Sequence, residues 1–272
     1  MILINGHQSS LISAEDRGLL YGDGLFETLA VFNGQPRLWD RHMRRLCLGC
    51  VRLGIPSPDL TALRAEALVV CQSAPQAVLK IIVTRGSAQR GYRGLSATNP
   101  TRIVALYPWF DYPADFEQHG IAVRVCTTRL GSNPALAGIK HLNRLEQVLA
   151  RNEWDDPAIP EGIMLDGQGQ VIEGTMSNIF MVCDGRLLTP DLSQCGVAGI
   201  MRELILETAV AMALPATITV LSLNEMMNAQ EIFLCNSLIG LWPVHALAET
   251  RFPVGPVTRC MAARLNELLN TC

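Results

Sequence analysis

Lysine is nearly absent from this chain of 272 residues: Lys80 and Lys140 stand among twenty-two basic side chains, and the rest are arginine. A guanidinium does not deprotonate near neutral pH, so almost none of these cations can serve as an amine nucleophile. Charge is sparse as well, at 17% of residues with a net −3, and no basic patch is interleaved with aromatics. That excludes the electrostatic footprint of a nucleic-acid binder. Long apolar runs are missing. A long uncharged stretch, Thr208 to Asn224, holds Pro215 and several threonines, and reads as a helix end followed by a strand rather than a membrane span. The opening Met1-Ile2-Leu3-Ile4-Asn5-Gly6-His7 has neither a charged start nor a sustained apolar run, so no secretory signal is expected. Nine cysteines, an odd number without disulfide-like spacing, point to a reduced cytoplasmic protein. Cys47 and Cys50 form a Cys-x-x-Cys pair, but they share helical spacing with Met43, Leu46 and Leu53 and no second ligand pair follows. Core packing is the reading, with no metal.

Aromatic residues are few at 6%, yet apolar residues reach 49%, enough for a substantial core. The pattern predicts an α/β (α+β) chain of two domains, residues 1–107 and 115–272, joined by a linker over 108–114 around Pro108 and Pro113. In the first domain, Ile2 to Ile4 turns at Asn5-Gly6, and Phe26 to Phe32 alternates before Asn33-Gly34. Helices are expected from Trp39 to Leu53, ended by Gly54 and Pro56, and from Leu60 to Cys71. Strands Val78 to Thr84 and Arg102 to Leu106 bracket a polar Gly/Arg loop, giving a sheet with helices on one side. In the second domain, a strand Ile121 to Thr127 and a helix Asn143 to Arg151 precede an expected meander. Its strands are Gly162 to Leu165, Val171 to Glu173 and Ile179 to Val182, with turns at Asp166-Gly167 and Asp184-Gly185. A helix Ile200 to Met212, strands Thr217 to Leu221 and Glu231 to Cys235, and a C-terminal helix complete it.

Lys140 lies in Ala137-Gly138-Ile139-Lys140-His141-Leu142-Asn143-Arg144, among small and apolar neighbours where arginine would otherwise be expected. The task that fits is a Schiff base with a carbonyl. Lys80, in Val78-Leu79-Lys80-Ile81-Ile82-Val83, reads as a strand residue alternating outward. Glu173 ends an apolar strand, and a buried carboxylate there needs a partner such as a pyridinium nitrogen. A surface strand position is its plain alternative. Gly196-Val197-Ala198-Gly199-Ile200-Met201-Arg202 is a Gly-paired turn opening a helix, whose free N–H groups suit a phosphate. Arg45 offers a guanidinium fork for the same dianion, and Cys235-Asn236-Ser237 ends a strand with short polar groups. A simple loop and a solvated helix face are the bland readings of these segments.

Taken together, these segments resemble the fold type IV pyridoxal-phosphate enzymes, which include branched-chain aminotransferases, D-amino-acid aminotransferases and 4-amino-4-deoxychorismate lyase. The resemblance covers essentially the whole chain and is greatest to the lyase. It is carried by Asn133-Pro134 to Arg151, Arg85-Gly86-Ser87 with Arg90-Gly91-Tyr92, Gly199-Ile200-Met201-Arg202 and Cys235-Asn236. The resemblance implies a D-amino-acid aminotransferase-like fold and pyridoxal 5'-phosphate as cofactor. It implies Lys140 as the Schiff-base lysine, Glu173 as partner of the pyridine nitrogen, and Arg45, Asn178, Ile200, Met201, Asn236 and Ser237 as further cofactor-binding residues. Phe26, Thr28, Arg90 and Tyr92 are implied on the substrate side.

The implied reaction is conversion of 4-amino-4-deoxychorismate, a small-molecule substrate, to 4-aminobenzoate and pyruvate, as in folate biosynthesis. The implied assembly is a homodimer. The alternatives are a D- or branched-chain amino-acid transaminase of the same fold and a non-catalytic pyridoxal-phosphate carrier. Branched-chain aminotransferases usually carry a tyrosine five residues after the lysine, and Leu145 stands there, which weighs against an ordinary transaminase.

Overall fold

The computed structural model describes residues 1–88, 91–94 and 99–270. They fall into two compact units, one of Met1–Phe110 with Ile139–Asn143, the other of Asp111–Gly138 with the chain from Arg144 onward. The first unit contains β1 (Ile2–Ile4), β2 (His7–Gln8), α1 (Arg17–Tyr21), β3 (Gly24–Phe32), β4 (Gln35–Pro36), α2 (Trp39–Leu53), α3 (Leu60–Cys71), β5 (Gln76–Thr84) and β6 (Thr101–Pro108). Its strands form one antiparallel sheet in the order β2-β1-β6-β5-β3-β4. The hairpin turns fall where the sequence places them: Asn33 and Gly34 have φ of 49° and 75°, the double left-handed geometry that matches strand twist.

Strand period sorts the sheet into two faces. Leu25, Leu29, Leu79, Ile81 and Val83 are buried on one, while Phe26, Thr28, Lys80 and Ile82 alternate with them. Helix α2 packs against β3, turning Trp39, His42, Met43, Leu46, Gly49 and Cys50 inward at helical spacing. Gly49 allows the close approach, since a Cβ there would lie 2.8 Å from the Leu25 side chain. Each fully buried leucine or isoleucine on this face contributes roughly 1.5–3 kcal/mol. Cys50 belongs to the same packing, and burial pushes its thiol up to about 12.

The second unit contains α4 (Asp115–His119), β7 (Ile121–Leu130), α5 (Leu145–Arg151), β8 (Glu161–Asp166), β9 (Val171–Gly174), β10 (Asn178–Cys183), β11 (Arg186–Pro190), α6 (Ile200–Ala211), β12 (Ala216–Thr219), α7 (Leu223–Met227), β13 (Glu231–Asn236), β14 (Gly240–Leu247), β15 (Thr250–Arg251) and α8 (Pro256–Asn270). Among the described residues its sheet runs β12-β11-β10-β13-β14-β7-β8-β9, with β15 beside β14. The expected meander is corrected here. β8 and β9 form a hairpin, but β10 pairs with β11 and β13 instead of β9. Apolar runs mark strands without naming their neighbours, and the short loop 175–177 carries the chain to a different part of the sheet. Strands β11 and β14, absent from the sequence reading, hold Pro190 and Pro243 respectively, which masked their β character. One core gathers Ile163, Ile179, Leu234, Trp242 and Val244, and a smaller one gathers Cys126, Met164, Ile172 and Leu192.

Candidate active site

Lys140 is held by backbone before its side chain does anything. The Phe26 N–H donates to the Lys140 carbonyl at 2.9 Å, the Leu142 N–H donates to the Gly24 carbonyl at 3.0 Å, and His141 makes an antiparallel bridge to Leu25. The Asn143 side-chain amide donates to the Gly22 carbonyl at 3.1 Å. The segment thus adds a short extension to the start of β3. Its lysine ammonium lies 4.4 Å from the centroid of the Phe26 ring. The chain's other lysine converges on the same ring, with Lys80 Nζ 5.3 Å from the centroid. Lys80 does alternate away from the helix-covered face, but it is half-buried, and the face it joins carries Phe26 and, directly across the ladder, Thr28. The outward strand position therefore sits beside the candidate amine, because period alone says which residues share a face and not what occupies it.

On the opposite face of β3, Glu27 is 1% exposed. It accepts from His42 Nδ1 at 2.6 Å, Arg45 Nε at 2.8 Å and Arg45 Nη2 at 2.5 Å. Burial alone would raise this carboxyl, but the Arg45 charge and the bonds from Arg45 and His42 bring it down to about 2. Burial in turn pushes His42 down despite the Glu27 carboxylate. A neutral His42 with its proton on Nδ1 leaves Nε2 as an acceptor, and that buried atom has no hydrogen-bond partner among the described residues. The sequence reading singled out Arg45 and missed Glu27 and His42. The available signal was a charge within the buried set Leu25, Glu27, Leu29, and a histidine three residues before Arg45 on one helix face.

In the second unit, Glu173 is 4% exposed at the end of β9. Its carboxylate accepts from the Val197 N–H at 2.8 Å and from Gln147 Nε2 at 3.3 Å, and the Arg144 cation also acts on it. The turn ahead of α6 is built around the same residues. Gly138 N–H donates to the Gly196 carbonyl, Ala198 N–H donates to the Gly138 carbonyl, and Asn178 Nδ2 donates to the Val197 carbonyl at 2.9 Å. Glycine is required at both ends of this turn. Gly196 has φ of 84°, and a Cβ on Gly199 would fall 2.0 Å from Asn178 Oδ1. Gly199 caps α6 without a side-chain hydrogen bond, so the first-turn amides at Ile200 and Met201 keep the donor capacity of a helix N-terminus.

Asn236 closes β13 with hydrogen bonds of its own. Its Oδ1 accepts from the Leu238 and Ile239 N–H groups at 2.8 and 2.9 Å, and its Nδ2 donates to the Met176 carbonyl at 3.0 Å. The side chain thus shapes the turn that carries half-buried Ser237. Tyr92 is 89% exposed, stacked edge-on against Tyr21, while Arg90 lies outside the described residues.

Each unit carries groups whose chemistry fits pyridoxal phosphate: a primary amine and an arginine in the first, a buried carboxylate and a helix start without a side-chain cap in the second. Residues 24–247 match the family described as Amino-transferase class IV. The chain is 35% identical to an aminodeoxychorismate lyase of Vibrio harveyi, covering 98% of this chain and 100% of that one. It is 27% identical to a putative branched-chain-amino-acid aminotransferase of Methanocaldococcus jannaschii, covering 98% and 96%. The crystal structure of 4-amino-4-deoxychorismate lyase from Pseudomonas aeruginosa superposes with a TM-score of 0.95 at 49% identity, covering 98% of each chain. The chain belongs to the class IV aminotransferase family, the fold type IV enzymes.

Proposed function

We propose that the protein is a pyridoxal-phosphate-dependent lyase that converts 4-amino-4-deoxychorismate to 4-aminobenzoate and pyruvate. The observation that carries the reading is Lys140, one of two lysines, pinned by backbone to β3 with its ammonium over Phe26. The likeness to two lyases of this name favours elimination over transamination. Leu145 points the same way, because it stands where branched-chain aminotransferases usually carry tyrosine.

In this reading Lys140 would hold the cofactor's aldehyde carbon until the substrate's amino group displaces it. Glu173 would keep the pyridine nitrogen protonated, with Gln147 and the Val197 amide fixing the carboxylate's direction. Arg45 would bind the phosphate, as would the Ile200 and Met201 amides, and Asn178 and Asn236 shape the turns of that second unit. When bound, pyridoxal phosphate supplies an electron sink for charge developing at the carbon attached to the substrate nitrogen. Lys140, once displaced and free as an amine, would remove the proton from that carbon. The ring-carbon to oxygen bond then breaks, and the carbocycle becomes aromatic. Lys140 returns a proton to the methylene of the departing three-carbon fragment, giving pyruvate. Phe26 and Thr28 line the substrate face, and Lys80 supplies a cation for one of the two substrate carboxylates. Arg90 and Tyr92 are the candidates for the other.

The same reading makes the protein a homodimer in the cytoplasm. Leu145, Val148 and Leu149 of α5 are 75%, 50% and 60% exposed, an apolar stripe suited to a second copy. No described helix is long and apolar enough to cross a membrane. The reaction is tested by offering the purified protein 4-amino-4-deoxychorismate and, separately, amino and keto acids. Pyruvate release from the first is expected. Rapid transamination without pyruvate release would replace the lyase with a transaminase.

A further inference from the structure

Arg45 enters the proposed reaction as a phosphate ligand, yet it is also paired with Glu27, which no step uses. The pair is costly to bury, and replacing such a pair by apolar residues is often neutral or stabilising. Stability is therefore a weak reason for a carboxylate at a position flanked by Leu25 and Leu29. Geometry gives a better one. Glu27 takes Nε and one Nη2 hydrogen, the side-on edge of the guanidinium, at 2.8 and 2.5 Å. A guanidinium held along that edge by two parallel bonds is fixed in plane as well as in position. The end-on edge, made by Nη1 and the second Nη2 hydrogen, lies outside this pair. His42 Nδ1 bonds the same carboxylate at 2.6 Å and stops its rotation. His42, Glu27 and Arg45 are 1%, 1% and 13% exposed, so solvent does little to loosen the array.

We infer that Glu27 is a positioning residue for anion recognition: it locks Arg45 so that the end-on edge of the guanidinium is presented to a phosphate dianion, with His42 locking Glu27 in turn. This rests on the reading of Arg45 as a phosphate ligand. Charge on the dianion is then met by a preset donor pair, and no side-chain freedom has to be lost when it binds.

The test separates phosphate recognition from general integrity. The full-length protein, stripped of cofactor, is titrated with pyridoxal phosphate and with pyridoxal, which lacks the phosphate, and binding is followed by absorbance. The quantity read is the ratio of the two dissociation constants. In Arg45→Gln the ratio drops by at least about tenfold, the worth of a charge-assisted contact. In Glu27→Gln, which keeps the shape, it drops comparably, and the double variant loses no more than Arg45→Gln alone. A Glu27→Gln protein that keeps the wild-type ratio while Arg45→Gln loses it would overturn the inference and leave Glu27 a packing residue. An unchanged ratio in Arg45→Gln overturns the phosphate reading itself, and the inference with it. Should Glu27→Gln fail to fold, His42→Asn serves: the ion pair stays and its lock is weakened, so the ratio must fall by a smaller factor. A His42→Asn ratio equal to wild type counts against the relay.

Discussion

Lys140 and Phe26 are joined at both ends: the Phe26 amide donates to the Lys140 carbonyl at 2.9 Å, and the Lys140 ammonium lies 4.4 Å from the Phe26 ring centroid. One strand residue thus fixes both the backbone and the reach of the candidate amine. Replacing Phe26 by leucine removes the ring face and keeps the bulk. A cation–π contact is worth about 0.5–2 kcal/mol. We expect Phe26→Leu to bind cofactor with its visible absorption intact and to lose about two- to thirtyfold in kcat, measured by release of 4-aminobenzoate.

The two lysines over that ring have separable tasks in this account. Lys140→Ala should remove the visible absorption of the purified protein together with turnover. Lys80→Ala should keep the absorption and raise KM for the substrate, and Lys80→Arg should restore most of that loss. If the absorption disappears with Lys80 in place of Lys140, the assignment of the amine is reversed.

Acid stability reports on Glu27. Its carboxyl is held at about 2, below the ordinary value of 4.5. The unfolded chain therefore takes up this proton first as the pH falls. The stabilisation from Glu27 is fully present above about 4.5 and is lost as the pH drops toward about 2. Urea unfolding of wild type should show a steeper loss between these limits than Glu27→Gln, which has no such proton to gain. At pH 7 the variant should be less stable by about 3–5 kcal/mol, the cost of breaking a buried pair on one side. Parallel pH profiles for the two proteins would show that the Glu27 carboxyl is not held below its ordinary value in the folded state.

The loop after Glu173 has its own buried anchor. Glu161 accepts from the Gly162, Thr175 and Met176 amides at 2.9, 3.0 and 3.1 Å, from the Ser177 hydroxyl at 2.8 Å, and from the Thr175 hydroxyl. Glu161→Gln turns an amide against these donors, of which the Thr175 N–H also reaches the Gly162 carbonyl at 3.1 Å. A loss of about 2–4 kcal/mol in urea unfolding is expected, in line with leaving buried donors unpaired. A change within about 0.5 kcal/mol would mean that the loop does not depend on this carboxylate.

Much of this architecture can be read from the chain. Trp39 to Leu53 and Leu60 to Cys71 carry helical spacing and clear stops, and the structure returns the same limits. Asn33-Gly34 fixes a hairpin because few other pairs tolerate two left-handed residues. Lys140 stands out because lysine is otherwise so scarce. What escapes the sequence is pairing across distance. Nothing local says that β10 joins β13 and not β9, since every strand of that core is apolar on the same period. Glu27 escaped for a related reason: its meaning depends on His42 and Arg45, which reach it from a helix 15 and 18 residues later. Lys80 was placed correctly by alternation, but alternation does not say that Phe26 and Lys140 share its side of the sheet.

The most direct test of the central claim is the product balance from 4-amino-4-deoxychorismate. Wild type, loaded with pyridoxal phosphate, is predicted to release 4-aminobenzoate and pyruvate in equal amounts, and Lys140→Ala neither. Consumption of the substrate amino group by a keto acid, with no pyruvate formed, would contradict the account.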